Sequence, residues 1–167
     1  MNSVRIGFGG GCHWCTEAVF DALRGVEKVE QGFIRSQAPY DTYSEAVLVR
    51  FKPEEIDLSV LIEVHLRTHA STSNHAMRGK YRSSIYTFDA KQKNAARAVL
   101  AQLQNDFEQE IITEVLPFSQ FKMSDERFQN YYGSDPTRPF CTTYIDPKLK
   151  LLRQRFARHV SADDATS

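Results

Sequence analysis

The apolar run Val4–Phe8 stops at three consecutive glycines, Gly9-Gly10-Gly11, and a helical pattern begins at once near Cys12. The pattern reads as strand, glycine turn, helix. The junction puts Cys12 at a helix N-terminus. There the unpaired N–H groups and the positive end of the helix dipole favour negative charge. A thiol so placed ionises more readily, and the thiolate is the nucleophile. Cys12 is therefore the candidate reactive group.

The first helix is expected from about Cys12 to Leu23, with Gly25 as its C-terminal stop. Val26–Ser36 reads as extended, Glu45–Phe51 as a strand, and Lys52-Pro53-Glu54-Glu55 as a turn. Asp57 is positioned to cap a helix running to Thr68, with Leu58, Leu61, Ile62 and Leu66 at helical spacing. Ser83–Phe88 alternates like a strand. Asp89 and Gln92 form a capping pair for a helix to about Phe107, with Ala96, Val99, Leu100 and Leu103 inward. Ile111–Leu116 is a further strand, and Asp146-Pro147 opens a last helix with Leu149, Leu152 and Phe156 as its apolar positions. Interleaved strands and helices predict an α/β or α+β fold: a two-layer sandwich with a mixed central sheet and helices packed on it. One domain over residues 1–160 is expected, with a frayed tail at 161–167.

With 41% hydrophobic and 25% charged residues, and 21 basic against 21 acidic side chains, the composition is that of an ordinary globular protein. This balance argues against nucleic acid or a charged membrane surface as partner. No stretch approaches the roughly 18 apolar residues of a membrane span, and the N-terminus lacks a secretory pattern. The three cysteines do not form a paired framework, which favours a cytoplasmic location.

The spacing of Cys12 and Cys15 admits three readings. A metal centre wants four ligands, and no second Cys pair exists beyond the lone Cys141; no metal or other cofactor is expected. A thioredoxin-type dithiol fits the strand-to-helix position, although no facing cis-proline candidate accompanies it. The favoured reading is a nucleophile, Cys12, recycled by another thiol.

At these residues a family resemblance enters. Gly10-Gly11-Cys12-His13-Trp14-Cys15-Thr16-Glu17 resembles the active-site signature of the peptide methionine sulfoxide reductase A family, and other motifs follow in order. They are Leu23-Arg24-Gly25-Val26, Ser44-Glu45-Ala46-Val47, Tyr81-Arg82-Ser83-Ser84-Ile85-Tyr86, Ile112-Thr113-Glu114-Val115 and Gln129-Asn130-Tyr131 ahead of Cys141. The likeness spans about residues 4–158. It implies reduction of methionine S-sulfoxide, free or peptide-bound, through a Cys12 sulfenic acid that a second thiol converts to a disulfide for thioredoxin to reduce. It also implies Glu45 as the acid protonating the sulfoxide oxygen and Tyr81 as a donor to that oxygen. Trp14 would be the wall for the substrate methyl, and Cys141 the resolving thiol in a mobile Pro- and Thr-rich segment. Cys15 is the alternative resolver, set back by the strain of a disulfide within one regular helical turn. Glu17 matches a signature position and otherwise reads as a helix-face charge.

The sequence departs from the family's pattern around the pocket. His13 stands where the family has Phe, making one wall polar. The loop carrying an active-site tyrosine is shortened to Arg35–Thr42, leaving Tyr40 and Tyr43 as candidates by proximity. Ser71–Lys80 lacks the expected aspartate, so Asn74 or His75 is the candidate stand-in. These changes raise two alternatives: the same Cys12 chemistry on another sulfoxide or a sulfur or selenium compound, and a non-catalytic redox sensor.

Overall fold

In the computed structural model, which describes residues 3–69, 71–73 and 81–161, β1 (Val4–Gly9) runs through the middle of a six-stranded sheet. After it come α1 (His13–Asp21), β2 (Val26–Arg35), β3 (Ser44–Phe51) and α2 (Leu58–Thr68). Next are β4 (Ser84–Thr87), α3 (Ala90–Leu103), β5 (Glu114–Pro117), β6 (Gln120–Met123) and the short α4 (Tyr131–Ser134). A π-helical turn, Cys141–Ile145, leads directly into α5 (Asp146–Arg155). The strand order is β5-β4-β1-β3-β2-β6. β4 and β5 are parallel and joined through α3, and the remaining pairs are antiparallel, so the sheet is mixed, as expected.

Strand alternation divides the apolar residues between two cores. Val47, Val49 and Phe51 of β3 face the helices, whereas Ala46 and Leu48 join Ile34, Tyr86 and Leu116 on the opposite side. The helix-side core takes Cys15, Ala18 and Val19 from α1 and Ala22 from its C-cap, the i, i+3, i+4, i+7 stripe of an amphipathic helix. Phe8 of β1 stacks on Phe20 of α1 with ring centroids 4.6 Å apart. Among the described residues no helix is long and apolar enough to cross a membrane.

Antiparallel pairing decides where the functional residues gather. Gly9, the last residue of β1, pairs with Ala46 near the start of β3 and with Ser84 at the start of β4. Cys12, Glu45 and Tyr81 therefore come to one end of β1 from three separate parts of the chain.

Some boundaries differ from expectation. Asp89 does cap α3, accepting from the Gln92 N–H at 2.7 Å, and the Gln92 side chain accepts from Phe88 N in return. That helix stops at Leu103, short of Phe107, because the next residues tighten into a 3₁₀ turn whose Gln104 side chain receives the Ile111 N–H. The strand expected from Ile111 starts at Glu114: β4 offers no partner before Ser84, and Ile112 N donates to Ser71 O instead. Asp57 precedes α2, yet its carboxylate accepts from the Ser59 hydroxyl and makes no cap bond. Gly25 lies beyond the end of α1 in a turn with φ +90°, a conformation that favours glycine. Of the expected frayed tail only Ser161 falls among the described residues.

Glu17 is a structural anchor rather than a helix-face charge. It is 5% exposed and accepts hydrogen bonds from Gln31 Nε2, Asn130 N and Tyr131 N at 2.7, 2.7 and 3.1 Å. Burial pushes its carboxyl pKa up, against the pull of these donors. The bonds fasten the 129–131 segment, where Asn130 takes φ +53°, to α1. Glu17→Ala strands buried donors and should cost about 2–4 kcal/mol of stability, read as a lower urea midpoint with an unchanged denaturant slope.

Candidate active site

Gly10 adopts φ +151°, and a Cβ there would come within 2.7 Å of His69 Nε2, so this junction residue must be glycine. The turn delivers Cys12 as the extended N-cap of α1, with φ −61° and ψ 126°. Its carbonyl starts the helix by accepting from Cys15 N and Thr16 N at 3.1 and 3.2 Å. The main-chain N–H of His13 donates to Glu45 Oε1 at 3.1 Å, so a carboxyl from β3 satisfies a free amide of the helix start.

The Cys12 thiol pKa lies below its ordinary value. The largest cause is a hydrogen bond from the Cys15 thiol; partial burial opposes it, the main-chain N–H groups of Trp14 and Cys15 help, and the Glu45 charge opposes. These amides act on the sulfur without meeting the geometry of a helix-cap hydrogen bond. The same pairing raises the pKa of Cys15, which keeps its proton as donor. Lys148 works against that rise, while the nearby Cys141 adds to it.

Cys12 and Cys15 form the floor of an open, apolar-walled cleft of about 340 Å³. Tyr81 lines it on the sheet side, and Phe140, Tyr144 and Lys148 line it from the C-terminal segment. The structure thus brings together Cys12, Cys15 and Tyr81, with Glu45 near enough to act on the Cys12 charge. Larger grooves exist elsewhere, one of about 660 Å³ beside Tyr40, Arg82 and Glu114, but it holds no thiol. Among the described residues no three His, Cys, Asp or Glu side chains converge as a metal set.

Other candidates lie apart from this cleft. Trp14 stacks on Tyr131 with centroids 4.2 Å apart and meets Phe128 and the edge of Phe140. It backs the wall through Phe140 and is not itself part of the lining. Tyr40 donates to Glu114 Oε1 at 3.0 Å and Tyr43 to Gln120 Oε1 at 3.1 Å, so the shortened loop turns both towards outer strands β5 and β6. Neither lines the Cys12 cleft. Asn74 and His75 lie outside the described residues.

His13 is buried between β2 and β3, its Nδ1 2.7 Å from Gly32 O and its Nε2 3.6 Å from Glu45 Oε1. Cys141, expected in a mobile segment, is instead 0% exposed in the π-helical turn, and its thiol donates to Asp135 O at 3.6 Å. The Pro- and Thr-rich stretch before it is folded. Asp135 receives the Thr137 N–H and hydroxyl, and the Arg138 guanidinium lies over the Tyr131 ring while donating to Tyr131 O. Burial pushes the Cys141 thiol pKa up.

Phe140, Tyr144 and Lys148 escaped the sequence reading. Their i, i+4, i+8 spacing, which sets side chains on one helical face, was the available signal.

The sequence profile of the family described as Peptide methionine sulfoxide reductase matches residues 4–160. The chain is 36% identical over 163 residues to "Peptide methionine sulfoxide reductase MsrA" of Acinetobacter baumannii (strain AYE), covering 89% of this chain and 94% of that protein. Among solved structures, Mxr1 from Saccharomyces cerevisiae in reduced form superposes with a TM-score of 0.73 at 18% identity, over 85% of this chain and 91% of that one. Mxr1 in complex with Trx2 superposes with a TM-score of 0.60 at 18% identity, over 77% and 84% of the two chains.

The hydrogen bond from Cys15 leads to a pH test. Because the Cys12 pKa is lowered, its alkylation by iodoacetamide should reach half-maximal rate at a pH below that of an ordinary thiol. Cys15→Ala removes the largest lowering influence and should move that midpoint upward, whereas Cys15→Ser retains a donor and should move it less.

Proposed function

The chain belongs to the peptide methionine sulfoxide reductase family, and we propose that it reduces the S-epimer of methionine sulfoxide, free or in peptides, at the Cys12 cleft. One observation carries this reading: a thiol with lowered pKa at a helix N-terminus opens into an apolar cleft, with a buried carboxyl close behind it.

The Cys12 thiolate attacks the sulfoxide sulfur, and Glu45 gives a proton to the sulfoxide oxygen, which would otherwise be a poor leaving group. Oxygen passes to the cysteine as a sulfenic acid and the thioether departs. Methionine sulfur gains the two electrons that Cys12 loses. The Tyr81 hydroxyl, at the cleft wall, is the proposed donor holding that oxygen. Phe140 and Tyr144 supply apolar contact for the substrate side chain, with Trp14 bracing Phe140 from behind.

A second thiol then attacks the sulfenic acid, forming a disulfide and releasing water. Cys15 is the proposed resolver, ahead of Cys141. Its thiol already donates to Cys12, while Cys141 is enclosed in its turn. The strain that set Cys15 back belongs to a regular helical turn, and Cys12 is an extended N-cap outside it. A thioredoxin dithiol is the proposed electron donor, a partner supported by the complex of the yeast relative with Trx2. Recycling through a thiol pool fits a reducing cytoplasm.

Assay of both sulfoxide epimers with dithiothreitol tests the reading. Turnover of the S-epimer alone, abolished by Cys12→Ser, is expected; turnover of neither epimer by the wild type would refute it. Cys15→Ser should keep a single turnover and stop thioredoxin-driven cycling, whereas Cys141→Ser should leave cycling largely intact.

A further inference from the structure

His13 sits where the resemblance leads one to expect Phe, and its ring is held on several sides. Nδ1 lies 2.7 Å from the Gly32 carbonyl oxygen. A carbonyl only accepts, so Nδ1 carries a hydrogen and donates it. That assignment leaves Nε2 to face Glu45 Oε1 at 3.6 Å. Both side chains are buried, His13 at 7% and Glu45 at 8% exposure. A bare Nε2 lone pair opposite an ionised carboxylate, away from water, would be repulsive. One proton between them removes the conflict, as an imidazolium–carboxylate pair or as a carboxylic acid facing a neutral ring. The Phe33 ring meets the imidazole edge-on at 5.2 Å and fixes its plane. The main-chain N–H of His13 donates to that same Glu45 oxygen.

We propose that His13 is the positioning residue for the acid of this reaction, orienting Glu45 and sharing with it the one proton that goes to the sulfoxide oxygen. The proposal rests on the roles given above to Cys12 and Glu45. In the oxidising step the pair gives up that proton, which becomes the hydroxyl hydrogen of the Cys12 sulfenic acid. The pair is left as carboxylate and neutral imidazole and takes a proton back from water before the next cycle. Where a phenylalanine stands, the carboxyl must hold the proton alone.

The test joins a spectroscopic and a kinetic readout on the full chain. With ¹⁵N-labelled histidine, the wild-type His13 ring should show a protonated Nδ1 and an Nε2 signal between the protonated and bare extremes. Glu45→Gln should shift Nε2 to the bare extreme. In single-turnover reaction with methionine S-sulfoxide, His13→Phe and His13→Gln should each slow Cys12 sulfenic acid formation by about tenfold or more, short of the roughly hundredfold or greater contribution of the acid itself. In steady state kcat should fall with KM little changed. The Gln variant keeps a donor for Gly32 O and is the folded control should Phe disturb packing, with circular dichroism reporting the fold. A bare Nδ1 in the wild type, or an unchanged rate in a folded His13→Gln protein, would overturn the proposal. Absence of wild-type turnover, or a wild-type rate in Glu45→Gln, would overturn the underlying reading instead.

Discussion

The position of β1 between two antiparallel neighbours is the constraint from which the site follows. Because β3 and β4 both start where β1 ends, residues more than 30 positions apart converge at the Gly9–Gly11 turn without a long loop to carry them. The turn is glycine because the His69 ring occupies the space a side chain at residue 10 would need. From that point the chain continues as a helix whose first amide, His13 N–H, donates to the carboxyl of Glu45. Backbone hydrogen bonding thus holds the Glu45 carboxyl against the start of the helix that follows Cys12.

Two negative groups then compete for the positive end of one helix. The Glu45 charge disfavours the Cys12 thiolate, while the Cys15 thiol and two main-chain amides favour it, and the second group prevails. The thiol and the carboxyl are therefore one electrostatic unit, and a substitution at either would be felt at the other.

Much of the frame was legible in the sequence. The apolar run in Glu45–Phe51, the helical spacing of Leu58, Leu61, Ile62 and Leu66 and the Asp89/Gln92 pair marked their elements because each rests on local geometry. β6 was missed because Gln-Phe-Lys-Met is a short, polar edge strand whose only signal is its partner. The glycine junction and the family motif singled out Cys12 and Glu45, which the fold brings to one end of β1. Proximity along the chain singled out Tyr40 and Tyr43, but proximity says nothing of direction, and their hydrogen bonds to Glu114 and Gln120 turn them to outer strands. The segment before Cys141 differs from expectation because its order comes from contacts rather than composition. Proline and threonine content suggests looseness, whereas the stacking of Arg138 on Tyr131, invisible in composition, orders the segment.

The cleft is built from two sources. Its reactive floor belongs to the sheet-and-helix junction, and one wall, Phe140, Tyr144 and Lys148, comes from the C-terminal segment suspended from α1 by Glu17. Floor and wall meet at Lys148, whose charge acts on the Cys15 thiol, so a change of charge in the wall would reach the sulfur pair as well.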